Sequence, residues 1–103
     1  MEILSHRGYW LTPTEKNQKE AFQRSFQAGF GVETDLRDLN GRIVVSHDLP
    51  KGDELSLEAF LELYCQLGRP GTLALNIKSD GLQEILRKNL DLFDIQRYFL
   101  FDM

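Results

Sequence analysis

The chain has 103 residues, of which 42% are hydrophobic and 27% are charged. Its length is enough for one domain with a small core, and its composition is that of an ordinary globular protein. The net charge of −4 and the pI of about 5.1 argue against a nucleic-acid-binding protein, which would need a basic patch.

The first part of the chain predicts a buried strand followed by a helix. The apolar run over residues 2–5 is typical of a strand that meets a loop at His6. Thr14 can cap a helix that closes at Gly29, a residue suited to the left-handed conformation beyond a helix. The residues expected on the buried side of this helix are Ala21, Phe22 and Phe26, together with Gln18 and Ser25.

A hairpin is predicted over residues 31–48. Asn40 and Gly41 are a strong signal for a tight turn between two strands. Because side chains alternate along a strand, Glu33 and Asp35 share one face, opposite to the apolar face that carries Val32. An ionised carboxylate is costly to bury without a partner, so these two are expected to be paired or bound to a metal ion.

The second part of the chain predicts two further helices that alternate with strands. Ser56 can cap a helix with an apolar stripe formed by Leu57, Phe60, Leu61, Tyr64 and Leu67. Residues 72–77 favour a strand, and Asp80 with Gln83 resembles a capping box for a third helix. The apolar residues expected in that helix are Leu82, Ile85, Leu86, Leu90 and Phe93. The last apolar run, Tyr98–Phe101, predicts a strand.

The alternation of strands and helices predicts an α/β fold with a parallel sheet and crossover helices. Ligands of such sheets bind at the carboxyl ends of the strands. Polar side chains occur at those ends in three separated strands, which indicates an active site. The candidate residues are His6, Arg7, Glu33, Asp35, His47, Asn76 and Lys78.

The candidates suit the chemistry of phosphate esters. Glu33, Asp35 and Asn76 offer hard oxygen ligands, which favour Mg²⁺ or Ca²⁺ over zinc. Arg7 and Lys78 are cations that can bind a phosphate. The two histidines of the chain can act as a general acid and a general base near neutral pH.

Each candidate also has a structural explanation. A single histidine is more often structural or exposed than catalytic, and Glu33 and Asp35 could form a solvated strand face. Tyr9 and Trp10 could line a substrate pocket or could only cover the mouth of the fold. The joint pattern favours a functional site, because all the positions map to one end of one sheet.

With these residues, the chain resembles the glycerophosphodiester phosphodiesterase family. The segments that carry the resemblance, in the family's order and approximate spacing, are Ser5-His6-Arg7-Gly8, Gly31-Val32-Glu33-Thr34-Asp35 and Ser46-His47-Asp48. Further matches are Asn17, Ala21-Phe22, Asn40-Gly41 and Leu57-Glu58, and Asn76-Ile77-Lys78 falls where the family has Glu-x-Lys. The resemblance covers nearly the whole chain.

The resemblance implies a TIM-type (β/α) barrel that hydrolyses phosphodiesters with a divalent cation. By position, the resemblance implies that His6 and His47 are the acid and base pair. It implies that Glu33 and Asp35 are metal ligands, and that Arg7 and Lys78 contact the phosphate. In the family, a substrate hydroxyl next to the phosphoester is thought to attack phosphorus, giving a cyclic phosphate. One histidine would remove the proton of that hydroxyl, and the other would protonate the leaving alcohol.

The chain departs from the family in three respects. Asn76 replaces the third acidic ligand, so the site loses one negative charge, and weaker metal binding, a different metal preference or a different substrate is expected. Lys16 stands where the family has glutamate, in a distorted segment between Pro13 and Asn17. A full barrel takes about 250 residues and eight strands. Residues 1–103, with four main predicted strands, are therefore expected to form a single segment, the N-terminal half of a barrel.

The sequence favours a metal-dependent phosphodiesterase that acts on a glycerophosphodiester or a related polyol- or sugar-phosphate diester. The alternatives are a non-catalytic module that binds phosphate esters, an inactive fragment that needs a partner, and a lyase that stops at the cyclic phosphate. Because a half barrel has open sheet edges, the remainder of a barrel or a second copy of the chain is expected to complete the sheet.

The chain carries no sign of a membrane or secreted protein. It has no long apolar run, and its first ten residues lack the apolar core of a signal peptide. Its single cysteine, Cys65, allows no internal disulfide bond and supports a reducing compartment only weakly. A cytoplasmic protein with a small-molecule substrate and no membrane span is therefore expected.

Overall fold

The computed structural model describes residues 1–102, in which strands and helices alternate. The strands are β1 (Leu4–His6), β2 (Gly31–Leu39), β3 (Arg42–Val45), β4 (Leu73–Ile77) and β5 (Tyr98–Phe101). The α-helices are α1 (Lys19–Gln27), α2 (Leu57–Gln66) and α3 (Gln83–Leu92), and a short 3₁₀ helix covers Pro13–Glu15. None of these helices is long and apolar enough to cross a membrane.

A mainly parallel sheet forms the centre of the fold. Its strand order is β1-β2-β4-β5, and β3 pairs with β2 in the antiparallel direction. Glu33 is the register partner of His6 in β1 and of Ala74 in β4, and Asp35 is the partner of Asn76. The predicted α/β fold with a parallel sheet is thus confirmed. Parallel strands that follow this sequential order through right-handed crossovers have all their helices on one face of the sheet.

The hydrophobic core lies between the helices and that face of the sheet. The core residues of the sheet are Val32 and Leu36 in β2, Ile43 and Val45 in β3, and Leu73, Leu75 and Ile77 in β4. Phe22 of α1 contacts Phe60 of α2 edge-on, with ring centroids 4.8 Å apart. The side chains that alternate with the core residues face away from the helices, among them Glu33, Asp35 and Phe99. Phe99 is 49% exposed.

The hairpin turn and two helix ends have the predicted local chemistry. Asn40 and Gly41 have φ angles of 53° and 81°, the pair of left-handed residues that a type I′ turn requires. Ser56 caps α2, because its hydroxyl accepts a hydrogen bond of 3.1 Å from the backbone N–H of Ala59. Gly29, with φ 82°, closes α1 as predicted.

The helix α1 begins later than predicted. Thr14 does not cap it, because Pro13–Glu15 forms only a 3₁₀ turn. The chain then leaves helical geometry, with ψ 133° at Lys16 and φ 59° at Asn17. The helix starts after Gln18, which is exposed and not on the buried side. The other predicted core positions of this helix are buried, namely Ala21, Phe22, Ser25 and Phe26.

The capping box predicted for α3 is wrong. Gly81 has φ 80°, and Leu82 precedes the first helical residue, Gln83, without a side-chain cap. Asp80 therefore lies outside the first turn of the helix. Ile85 was expected on the apolar face, but it is 42% exposed because that side of α3 faces solvent. The buried residues of this segment are Leu82, Leu86 and Leu90.

An ion pair links the amino ends of the two outer strands of the parallel sheet. Arg97 Nη2, just before β5, lies 3.0 Å from Glu2 Oε1, just before β1. Thr72 Oγ1, just before β4, donates a hydrogen bond of 3.0 Å to the other carboxylate oxygen of Glu2. Two glycines pack tightly at the same end, since a Cβ on Gly71 would lie 2.4 Å from the backbone nitrogen of Gly31. These contacts draw the amino ends of the four parallel strands together.

Candidate functional site

Asp35 is the centre of a buried polar cluster at the carboxyl end of the sheet. Its side chain is 1% exposed. Asn76 Nδ2 donates a hydrogen bond of 3.3 Å to Asp35 Oδ1, and Asn17 Nδ2 donates one of 3.1 Å to Oδ2. Arg7 Nε lies 3.2 Å from Oδ2, which is an ion pair without hydrogen-bonding geometry. The carboxylate therefore has the cationic and polar partners that its burial demands.

Asn17 joins the loop after β1 to the middle of β2. Its side chain is 7% exposed, and its Oδ1 accepts a hydrogen bond of 2.7 Å from Thr34 Oγ1. Its backbone N–H donates to the carbonyl oxygen of Arg7 at 2.9 Å. On one edge, β2 pairs with β1 over residues 31–33 and with β3 over residues 36–39. Asn17 lies beside the residues between these two segments, Thr34 and Asp35. In the sequence, Asn17 is only a match to the family pattern, and no local pattern indicates that it is buried against Asp35.

The loop after β1 is shaped by two residues with positive φ. Arg7 has φ 60° and donates its backbone N–H to the carbonyl oxygen of Glu33 at 2.7 Å. Gly8 has φ 89°, and a Cβ there would lie 2.8 Å from Ala21 Cβ. Only glycine satisfies both the angle and the close approach to α1. This turn places the Arg7 side chain beside Asp35, in the middle of β2.

Glu33 and His6 form the outer part of the cluster. His6 Nε2 lies 3.1 Å from Glu33 Oε2, and their side chains are 65% and 17% exposed. The geometry is not that of a hydrogen bond, so Glu33 Oε2 is buried without a hydrogen-bond partner among residues 1–102. Burial raises the pKa of Glu33 above its ordinary value, and the negative charge of Asp35 raises it further.

His47 and Lys78 lie at the same end of the sheet. The backbone N–H of Ser46 donates to the carbonyl oxygen of Asp35 at 3.0 Å, which places His47 directly beyond that point. The ring of His47 is 3.0 Å from Asp48 Oδ1, so among residues 1–102 it pairs with its neighbour and not with the Asp35 cluster. Lys78 is close enough to Glu33 for its positive charge to oppose the rise in the pKa of that carboxyl.

The mouth of the site carries aromatic side chains from the loop after β1. Trp10 Nε1 donates a hydrogen bond of 3.0 Å to the carbonyl oxygen of His6. Lys16 Nζ lies over the indole ring, 4.7 Å from its centroid. Tyr9 instead stacks on Phe30, with ring centroids 6.1 Å apart. Of the two aromatic residues, Trp10 is therefore the one fixed next to a candidate catalytic residue.

The residues fit a divalent cation only in part. Among residues 1–102, no three histidine, cysteine, aspartate or glutamate side chains are close enough to hold a metal ion. The carboxylates of Glu33 and Asp35 repel each other, and Glu33 Oε2 lacks a hydrogen-bond donor, which are features that a cation would relieve. Asn76 contacts Asp35 through its amide nitrogen, so it contributes a neutral group at the position where the family resemblance implies a third carboxylate.

The chain has no significant match to any protein-family model, curated protein or solved structure. The resemblance described above rests on its motif residues alone. Among residues 1–102, the candidate residues form two sets of side-chain contacts, in which His6 meets Glu33, and Arg7 and Asn76 meet Asp35.

Proposed function

We propose that the chain contributes the catalytic end of a metal-dependent phosphodiesterase. The substrate is a glycerophosphodiester or a related polyol- or sugar-phosphate diester. The observation that carries the proposal is the cluster around Asp35, in which a carboxylate pair, an arginine and a histidine lie together at the carboxyl end of the parallel part of the sheet. That end is where ligands of parallel sheets bind. A small-molecule substrate and a cytoplasmic location remain predictions of this proposal.

The sheet belongs, in this proposal, to half of a TIM-type barrel. Support comes from the sequential order of the parallel strands and from the location of the helices on one face. Support also comes from the other face, where Leu4 and Phe99 are 36% and 49% exposed. The remaining half of a barrel or a second copy of the chain would cover these side chains and pair with the edges of β1 and β5.

The chain's own residues would divide the chemistry between phosphate binding and proton transfer. Arg7 turns Nε to Asp35, so its terminal nitrogens can bind phosphate oxygens together with Lys78. One of His6 and His47 removes the proton of a substrate hydroxyl that attacks phosphorus, and the other protonates the leaving alcohol. Glu33 and Asp35, with Asn76, would hold Mg²⁺ or Ca²⁺, which supplies stabilisation of the negative charge on phosphorus.

A non-catalytic module that binds phosphate esters is the second candidate function. The observation that favours it is the pairing of Asn76 with Asp35, which leaves two carboxylates facing Arg7 and Lys78. A site with that charge balance can bind a phosphate ester without a metal ion. A lyase that releases a cyclic phosphate would use the same two histidines, so its product and not its residues would distinguish it.

Hydrolysis of glycerophosphocholine, with and without a chelator, tests the proposal. The wild type, His6→Gln and His47→Gln are compared, with thermal unfolding as the control for folding. We expect each substitution to lower kcat by about 10²–10⁴-fold while the melting temperature is retained. Activity that survives both the chelator and the loss of His6 would overturn the proposal. Phosphate-ester binding without turnover, lost in Arg7→Ala, would favour the binding module.

A further inference from the structure

The loop between β1 and α1 presents a cation beside the candidate catalytic residue His6. Trp10 is tied to the His6 carbonyl oxygen by a hydrogen bond of 3.0 Å. Lys16 Nζ lies 4.7 Å from the centroid of the Trp10 ring, within the range of a cation–π contact. The contact of Lys16 with Trp10, and of Trp10 with the backbone of His6, thus hold the ammonium group at the mouth of the site.

The backbone on both sides of Lys16 is fixed. Glu15 Oε1 accepts hydrogen bonds from the backbone N–H of Leu11 at 2.9 Å and from Arg24 Nη1 at 3.0 Å. On the other side, the backbone N–H of Asn17 donates to the carbonyl oxygen of Arg7. Lys16 therefore projects from a short segment whose two ends are anchored, which lowers the entropy cost of using its side chain in binding.

The charge of Lys16 has no carboxylate partner among residues 1–102. Glu15, its neighbour in sequence, is already paired with Arg24. The aromatic face of Trp10 attracts the ammonium group but does not neutralise it. The loop after β1 therefore carries a positive charge at the same end of the sheet as Arg7 and Lys78.

We propose that Lys16 and Trp10 form a subsite for an anionic group on the part of the ligand that is remote from the reacting phosphate. A carboxylate or a second phosphate has the required chemistry, since either accepts charge-assisted hydrogen bonds from an ammonium group. The inference rests on the proposed function for the location of the first phosphate. It adds a substrate class, namely phosphate esters whose alcohol carries a further negative charge.

Binding of two phosphate monoesters tests the subsite without turnover. 3-Phosphoglycerate carries a carboxylate where glycerol 3-phosphate carries a hydroxymethyl group, and calorimetry at low ionic strength gives the two affinities. We expect the wild type to bind 3-phosphoglycerate about fivefold more tightly, as a partly exposed ion pair allows. Lys16→Gln should abolish the preference, and Lys16→Glu should reverse it. Lys88→Gln, which removes an exposed lysine on α3, should retain it.

Hydrolysis of glycerophosphoinositol and glycerophosphoinositol 4-phosphate separates the subsite from the proposed function. The wild type should hydrolyse glycerophosphoinositol 4-phosphate faster than glycerophosphoinositol. If Lys16→Gln removes this preference and leaves the rate on glycerophosphoinositol unchanged, the result supports both the subsite and the proposed function. Equal binding of the two monoesters by the wild type, or an undiminished preference in Lys16→Gln, overturns the subsite. If neither diester is hydrolysed but the monoester preference depends on Lys16, the proposed function fails and the subsite stands.

Discussion

Asn76 donates a hydrogen bond of 3.3 Å to Asp35 across the boundary between β4 and β2. The parallel register makes the two residues direct partners, so this contact follows from strand pairing and not from a loop. Asp35 also forms an ion pair with Arg7 and accepts a hydrogen bond from Asn17, so its negative charge is surrounded by a cation and two amide donors. A carboxylate at position 76 would face Asp35 with a like charge, and the consequence of that change can be measured.

Replacing Asn76 by aspartate should lower the stability of the fold and raise its affinity for a divalent cation. Without a metal ion, Asn76→Asp loses the donor to Asp35 and adds a buried negative charge, so the free energy of unfolding should fall by about 1–3 kcal/mol. With three carboxylates, the affinity for Mg²⁺ or Ca²⁺ should rise by about tenfold or more. Thermal unfolding in a chelator and in each cation measures both effects.

The matched control for that substitution is Asn89→Asp, which adds the same charge on α3, away from the cluster. It should change neither the cation affinity nor the response to the chelator. If Asn76→Asp and Asn89→Asp gain equal stability from the cation, residue 76 does not face the cation site.

Glu33 should make the stability of the protein fall as the pH rises. Its pKa is raised above the ordinary value of 4.5, so the folded state favours the protonated form. The stabilisation from that protonated form is fully present below pH 4.5 and is lost as the pH rises through the raised pKa. We therefore expect Glu33→Gln to melt at a higher temperature than the wild type at pH 7, with the difference vanishing below pH 4.5.

Melting curves between pH 3 and pH 8 in a chelator test this linkage, and Glu62→Gln, on the exposed side of α2, is the control. Addition of Mg²⁺ or Ca²⁺ should reduce the difference in melting temperature between Glu33→Gln and the wild type at pH 7, because a bound cation stabilises the ionised carboxylate of the wild type. If Glu33→Gln is less stable than the wild type at pH 7, the ionised carboxylate of Glu33 does not destabilise the fold.

Gly8→Ala should destabilise the fold more than another glycine substitution with similar backbone strain. Gly8 and Gly29 have φ 89° and φ 82°, so alanine is strained at both. At Gly8 the new Cβ would also lie 2.8 Å from Ala21 Cβ, whereas at Gly29 nothing lies within 4 Å. We expect losses of about 3 kcal/mol for Gly8→Ala and about 1 kcal/mol for Gly29→Ala in urea unfolding. Equal losses would mean that the contact with α1 is not tight.

Phe99 should promote association of the chain through the uncovered face of the sheet. Its side chain is 49% exposed and lies 5.9 Å from Phe101, centroid to centroid. Phe99→Ser should lower the fraction of dimers or larger species in sedimentation experiments at high protein concentration. Leu92→Ser is the control, since Leu92 is 80% exposed at the end of α3. If only the Leu92 substitution reduces association, the helical side and not the sheet carries the contact.

The parts of the fold that could be predicted are those with local causes. The Asn40-Gly41 turn, the Ser56 cap and the Gly29 helix end depend on residues within a few positions of one another. The meeting of Asp35 and Asn76 could be anticipated because parallel strands align their carboxyl ends. These features required only periodicity and turn chemistry.

The parts that could not be predicted depend on distant contacts. Asn17 has φ 59° because its backbone and side chain bond to Arg7, Thr34 and Asp35, and no neighbour in sequence indicates this. The same conformation delays the start of α1, which made the predicted Thr14 cap wrong. The number of carboxylates at the cluster was evident from the sequence, but their hydrogen-bond partners were not.

The ion pair between Glu2 and Arg97 joins β1 to the amino end of β5, and its weakness bears on which strand unfolds locally first. Its partners are separated by 95 positions in the chain and are largely exposed, so it adds little strength to a strand of three residues. The amides of β1 should therefore exchange with solvent before those of β2 and β4. His6 and Arg7 lie at the end of that same strand. A phosphate ester that bridges Arg7 and Lys78 should slow this exchange, and hydrogen exchange at β1 would then report ligand binding even in a variant that has no turnover.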